Sequence, residues 1–385
     1  MTTDLTPREH FFRILEGKKP SGALFAPDIT TWYATHRLPL GEPQPFSAGG
    51  FIPDDHPVHE RPGSMPERFR HFTFLDFYRE FGWGCPVHLY GWCDEQYAGG
   101  VERVTTVEGN RRITRFITSK GELERVSLLA ADGSWAPHEH YVKSLDDLDI
   151  MRLVVESTRF VPHYERIEAT LAALGGQGWG DVVVMRSPFG KLVHEYMGFD
   201  QVVYALADNP GVLLDFMELQ EQKDLEYVEL AAKAPARLVI LSDHADENLI
   251  SPPQYERYCI PYYRTMNDIL HAAGKLVSTH LDGNFKGFFP LLGATGFDLL
   301  DGCTPAPMFN YEVEELAAAL PDGLAAFCGV PATLFCQGLP TEEIVAFGKR
   351  IAKALRGRGI VNVGDILPPE GDIEQVIALG EAMKA

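Results

Sequence analysis

No run of eighteen apolar residues occurs in this chain, so a membrane-spanning helix is not expected. The opening MTTDLTPREHF lacks the basic-then-apolar order of a secretory signal, and a cytoplasmic protein is the default expectation. Positive charge is in short supply. Thirty-four Lys and Arg face 54 Asp and Glu, a formal net charge of −20, and no basic stripe offsets it. A nucleic-acid partner is therefore not expected. Cysteine is sparse: Cys85, Cys93, Cys259, Cys303, Cys328 and Cys336 are scattered over 385 residues with no CxxC. That excludes a disulfide framework, a zinc ribbon and a thioredoxin-like site. No GxGxxG follows an early strand, which counts against a doubly wound dinucleotide fold, and no internal repeat is visible.

What remains is an ordinary globular composition, 45% hydrophobic and 23% charged, with material for one large domain or two smaller ones. Thr6-Pro7-Arg8-Glu9 caps a helix that Gly17 ends. Residues 40–66 are rich in Pro and Gly and read as a long loop. VERVTTVEGNRRITRFITSKGELERVSLL alternates between turns at Glu108-Gly109-Asn110 and Lys120-Gly121, the pattern of an antiparallel meander over about 101–130. Short apolar runs at 24–27, 83–89, 181–186, 237–242, 275–280, 298–301, 324–328 and 359–363 give eight candidate strands. From residue 145 onward they alternate with helical segments. Parallel βα units in that number predict a (β/α)₈ barrel, one domain over 1–385, with the meander as an insertion.

Chemistry in such a barrel sits where the strands end. Those ends carry Asp28, Arg186-Ser187, Asp243-His244, His280 with Asp282, Asp301 with Cys303, Cys328 and Asp365, while Asp246-Glu247 follow closely behind His244. A strand end is often polar for no further reason, but this many converging on one rim points to a site. A catalytic zinc takes three ligands from His, Cys, Asp or Glu and keeps one position open. His244 and His280 end consecutive strands, and Cys259 lies between them on SPPQYERYCIPYYRTM. Together they make a candidate His₂Cys centre, although a free cysteine is more commonly a small buried hydrophobe. Asp282 is either a further ligand or the partner that orients His280.

The segments TPREHFFRILEGKKP, MRSPFGKLVHEYMGFDQVVYALADNPGVLLDF, RLVILSDHADENLISPPQYERYCIPYY, KLVSTHLDGNFKGFFPLLGATGFDLLDGCTPAPM and GLAAFCGVP resemble, in order, the uroporphyrinogen decarboxylase superfamily. The resemblance implies one of two activities: cofactor-free porphyrinogen decarboxylation, or zinc-dependent methyl transfer with a corrinoid protein. The decarboxylases carry an Arg-rich segment after the first strand. Here APDITTWYATHRLPL offers only Arg37 beside His36. Thiol-methylating relatives carry His-x-Cys and a late Cys, where this chain has His280-x-Asp282 and Asp365. The O-demethylase type has an acid, fourteen residues, a second acid, twenty residues and a His. His244-x14-Cys259-x20-His280 keeps that spacing with other ligand types.

The resemblance thus implies Zn²⁺ on His244, Cys259 and His280, a small methylated donor, methoxylated first of all, and a corrinoid (cobalamin) carried by a partner protein whose Co(I) takes the methyl. Within that reading Asp243, Asp282 and Arg186 are the catalytic candidates, Arg186 as partner of a donor carboxylate, and His194-Glu195 are candidates for proton transfer. Trp32, Tyr33, Tyr255 and Tyr262 are candidates for an aromatic substrate wall, each equally at home in a core. The alternatives are a decarboxylase with Asp28 as its acid, and a non-catalytic corrinoid-binding module. A homodimer is left open.

Overall fold

The structure, a computed structural model, describes residues 5–18, 20, 22–36, 65–130 and 135–384. Eight parallel strands form one sheet: β1 (Leu24–Phe25), β2 (Cys85–Leu89), β3 (Gly178–Val184), β4 (Leu238–Leu241), β5 (Leu276–His280), β6 (Leu299–Cys303), β7 (Ala325–Pro331) and β8 (Gly359–Gly364). Their order runs β1-β8-β7-β6-β5-β4-β3-β2. Gly84 N–H donates to the Phe25 carbonyl at 2.9 Å, joining the two ends of the sheet. The expected (β/α)₈ barrel is the observed fold, and each of the eight expected strands is present.

Side chains alternate between the two faces of a strand, and this parity sorts the barrel. Val239 and Leu241 of β4 pack outward with the surrounding helices, whereas Leu238 belongs to a separate interior cluster. That interior cluster also holds Leu24, Trp179, Leu299, Ala325, Phe327 and Ile360, all from the N-terminal halves of their strands. The helix Pro7–Leu15 closes it from below. Its N-cap Thr6 and Glu9 form a reciprocal capping box, and it inserts Phe11, stacked on Trp179 with ring centroids 3.8 Å apart. One end of the barrel is therefore filled with apolar rings, and only the other end can hold polar chemistry.

The insertion is larger than the sequence suggested. Strands Glu102–Glu108, Arg111–Thr118, Gly121–Leu129 and Trp135–Glu139 form an antiparallel sheet, and a further antiparallel pair, Cys93–Tyr97 with Thr158–Pro162, stands at its base. CDEQY carries little strand signal, because its side chains are mostly polar or acidic. The long loop expected over 40–66 falls, apart from its last two residues, outside the described residues, as does Arg37. No helix among the described residues is long and apolar enough to cross a membrane.

Candidate metal centre

The parity that points Leu276 and Leu299 into the bottom of the barrel brings His280 to its mouth four residues later on β5 and Asp301 two residues later on β6. These two residues are register partners, and His280 Nδ1 bonds Asp301 Oδ2 at 2.8 Å. Across the barrel the same arrangement recurs on β2 and β3. His88 faces Asp181 in register, with Nδ1 to Oδ1 at 2.8 Å. The two pairs approach each other: His88 Nε2 lies 4.0 Å from Asp301 Oδ2, and the His88 and His280 ring centroids are 6.5 Å apart. On the other side of His280, its Nε2 stands 3.5 Å from Asp365 Oδ2. Gly302 makes room for the imidazole. A Cβ there would lie 2.8 Å from His280 Cε1, and its φ of +74° suits glycine alone.

His244 joins this row from the end of β4. Its ring centroid is 4.5 Å from that of His280. Its backbone takes φ +48°, the left-handed region, and it is the one non-glycine with positive φ among the described residues. A histidine held there is paying conformational energy for its position, the kind of outlier that collects at functional sites. Asp282, just past β5, completes a group. Ligand atoms of His244, His280 and Asp282 all lie within 4.8 Å of one another.

The electrostatics follow from burial and crowding. Burial alone would lower the His280 imidazolium, but the Asp365 charge and the Asp301 hydrogen bond outweigh it and carry the pKa up to about 9. Burial pushes Asp365 up to about 7 against the pull of His280. Burial also raises Asp282. Burial raises Asp301, but the His280 hydrogen bond, the charges of His280 and His88 and the Gly302 amide together hold it below the usual carboxylate range. His244 goes the other way: burial, then the positive neighbours His280 and Arg186, hold it down at about 2, so its ring is a neutral donor.

These features fit a divalent cation. Asp301 fixes Nδ1 of His280 and leaves Nε2 as the ligand atom, the carboxylate–histidine arrangement common at metal sites. Asp282, Asp301 and Asp365 crowd His280, which holds a proton in the metal-free protein, and a dication bound there would displace that proton.

The structure brings together His244 and His280 with Asp282, and it does not bring Cys259 to them. Cys259 ends the one-turn π-helix Tyr255–Cys259 and is fully buried, with its thiol 3.7 Å from Ser187 Oγ. Burial and the charge of Asp243 push that thiol well above its ordinary range. The residue is a core side chain in a dry setting. Asp243 is likewise 0% exposed. Its carboxylate accepts from Ser187 N–H at 2.9 Å and from the Tyr263 hydroxyl, and Gly190 lets it approach, since a Cβ there would collide with Oδ1. It braces the loops on either side of the mouth.

Arg186 donates to the Ser242 carbonyl at 2.8 Å, two residues before His244, and its Nε lies 3.5 Å from Glu195. The four aromatics named for a substrate wall are packed inside. Trp32 stacks on His36, Tyr33 meets Phe74 and Phe77 edge-on, Tyr255 stacks on Phe288, and the Tyr262 hydroxyl donates to Asp224 at 3.3 Å. Asp28 accepts from the backbone and hydroxyl of Thr30 at the start of the helix Thr30–His36. Asp246 and Glu247 accept from loop amides. His88 and Asp181 escaped the sequence reading. Their signal was strand parity: each lies an even number of residues along its strand from an inward neighbour.

Comparison with known proteins agrees with the fold. A search of curated protein sequences found no match. Among solved structures, a methyltransferase from Methanosarcina mazei superposes with a TM-score of 0.60 at 13% identity, covering 99% of each chain. A B12-independent methionine synthase from Shewanella sp. W3-18-1 reaches a TM-score of 0.45 at 8% identity, covering 94% of this chain and 96% of its own. At 13% identity the likeness to the Methanosarcina protein speaks for the fold alone. The sequence model of the family described as Uroporphyrinogen decarboxylase (URO-D) matches residues 130–385, about two thirds of the chain. The protein belongs to the uroporphyrinogen decarboxylase (URO-D) family.

Proposed function

We propose that this protein is a zinc-dependent methyltransferase that moves a methyl group from a small methylated donor to a corrinoid carried by a partner protein. One observation carries the reading: His244, His280 and Asp282 converge at the barrel mouth, with His280 oriented from behind by Asp301. His244, His280 and Asp282 would hold the zinc, which when bound would supply Lewis acidity to the heteroatom that gives up its methyl. The chain's own residues do the rest. Asp301 fixes the His280 tautomer, and the left-handed backbone aims His244. Arg186, whose charge reaches His244 and whose Nε stands 3.5 Å from Glu195, is the candidate cation for a negative group of the donor. Methoxylated compounds are the first donors to try, because departure of an alkoxide or phenolate gains most from a Lewis acid.

Family membership and a full-length structural relative that is itself a methyltransferase support an enzyme of this type. The acid-rich lining of Asp28, Asp181, Asp282, Asp301 and Asp365 counts against a polycarboxylate substrate, as porphyrinogen decarboxylation would require. A two-histidine, one-carboxylate set also accommodates Fe(II), so the metal itself must be identified.

The test combines metal analysis of protein purified without added metal with a transfer assay. Wild type and His280→Ala are incubated with a reduced corrinoid protein and a panel of methoxylated and N-methylated donors, while the cobalt absorbance is followed. Stoichiometric zinc and methyl-cobalt formation in the wild type, both lost in His280→Ala, are expected. A wild type without metal, or conversion of uroporphyrinogen to coproporphyrinogen, overturns the reading.

A further inference from the structure

A cavity of about 250 Å³ lies between the barrel and the inserted sheet, and none of His244, His280 and Asp282 lines it. Its wall on the insertion side is aromatic. Tyr97 meets Phe116 with ring centroids 5.3 Å apart, and Phe116 meets Tyr141 at 5.1 Å. Four cations line it: Arg103, Arg125, Lys191 and Lys223. Three of them have carboxylate partners. Arg103 lies 3.9 Å from Glu95, Lys191 2.5 Å from Asp224 and Lys223 2.9 Å from Glu226.

Arg125 has none among the described residues. Its guanidinium lies over the Tyr141 ring at 5.2 Å, and its Nε is buried with no hydrogen-bond partner among them. The remaining lining carboxylate, Glu195, is shared with Arg186, and burial raises its pKa, which thins the negative charge opposite Arg125. A buried guanidinium N–H left unsatisfied is costly. A planar carboxylate is the partner whose geometry the guanidinium fork matches. The adjoining aromatic wall suits a flat, apolar body behind that carboxylate.

We propose that this cavity is a binding site, separate from the metal centre, for a small organic carboxylate with a flat apolar body, with Arg125 as its counter-ion and Tyr97, Phe116 and Tyr141 as its wall. The site stands independently of the methyl-transfer reading, because its counter-ion and wall lie in or beside the insertion and none of the candidate metal ligands lines it; Glu195, shared with Arg186, is where the two adjoin.

Calorimetric titration with benzoate tests it, with benzylamine as the charge-reversed control. The proteins are the wild type, Arg125→Met, Arg125→Lys and His280→Ala, each checked for native circular dichroism. Saturable benzoate binding is expected in the wild type, weakened roughly tenfold or more in Arg125→Met. Arg125→Lys should fall between them, His280→Ala should bind as the wild type does, and benzylamine should not bind. Should Arg125→Met fail to fold, Arg125→Lys alone carries the comparison, since it keeps the charge and removes the fork. No saturable benzoate binding to the wild type overturns the proposal. So does equal binding by the Arg125 variants, or binding lost in His280→Ala and kept when Arg125 is replaced, which would place the carboxylate at the metal centre.

Discussion

The same strands furnish the two ends of this barrel by opposite means. At the N-terminal end their inward positions are Leu24, Trp179, Leu238, Leu299 and Ile360, sealed by Phe11 from the first helix. Two or four residues further along, the inward positions become Asp28, Asp181, Asp301 and Asn362, joined by His88 and His280. The closed end gains its stability from apolar burial and tolerates no water. The open end gathers buried acids and histidines that stabilise one another only in part. Such a division lets the floor carry the fold while the mouth keeps an arrangement that favours a cation over a tightly packed core. It also separates two kinds of damage that are usually confused in mutants of a single core.

That separation can be broken by substitution. Phe11→Ala should give the largest effect on folding, a loss of about 3–5 kcal/mol, measured by denaturant titration, with zinc content per folded molecule unchanged. Loss of metal in that variant would mean that floor and mouth are not independent. At the mouth, Asp301→Asn keeps the shape but weakens the grip on His280 Nδ1. Zinc affinity by chelator competition should fall roughly 10–100-fold, with a much smaller change in stability than Phe11→Ala gives. Equal zinc affinity in the two proteins would show that Asp301 does not orient the ligand.

A smaller effect sharpens the electrostatic half of the comparison. His280, with its pKa raised to about 9, holds a proton at neutral pH in the metal-free protein, and zinc must displace it. Zinc affinity should therefore climb about tenfold per pH unit from pH 7 and level off above about pH 9. In the metal-free protein the same shift has the opposite sign. Its contribution to stability is complete below the unfolded pKa of about 6.5 and is lost as pH rises through the folded value of about 9. An affinity flat between pH 7 and 9 would contradict the protonated His280.

Much of this was legible in the residues. The eight strands could be read because parallel strands buried on both faces appear as short continuous apolar runs between helices. His244 and His280 could be read because they end two of those runs. Cys259 was drawn in by spacing along the chain, and spacing does not record which way a helix turns its side chains. In the fold its thiol faces Ser187. Asp181 was missed through a boundary. The strand was expected to begin at 181, but it begins at Gly178, which places Asp181 inside the barrel beside His88 rather than at its foot. The pair Cys93–Tyr97 with Thr158–Pro162 is set by tertiary pairing across the insertion, and a short polar run such as CDEQY gives no local sign of it.

The ligand set is the central claim, and X-ray absorption at the zinc edge of the holoprotein tests it most directly. Only nitrogen and oxygen neighbours at about 2.0–2.2 Å are predicted, from His244, His280 and Asp282 with an open or solvent position. A sulfur neighbour at about 2.3 Å would bring Cys259 into the centre and contradict the arrangement described here.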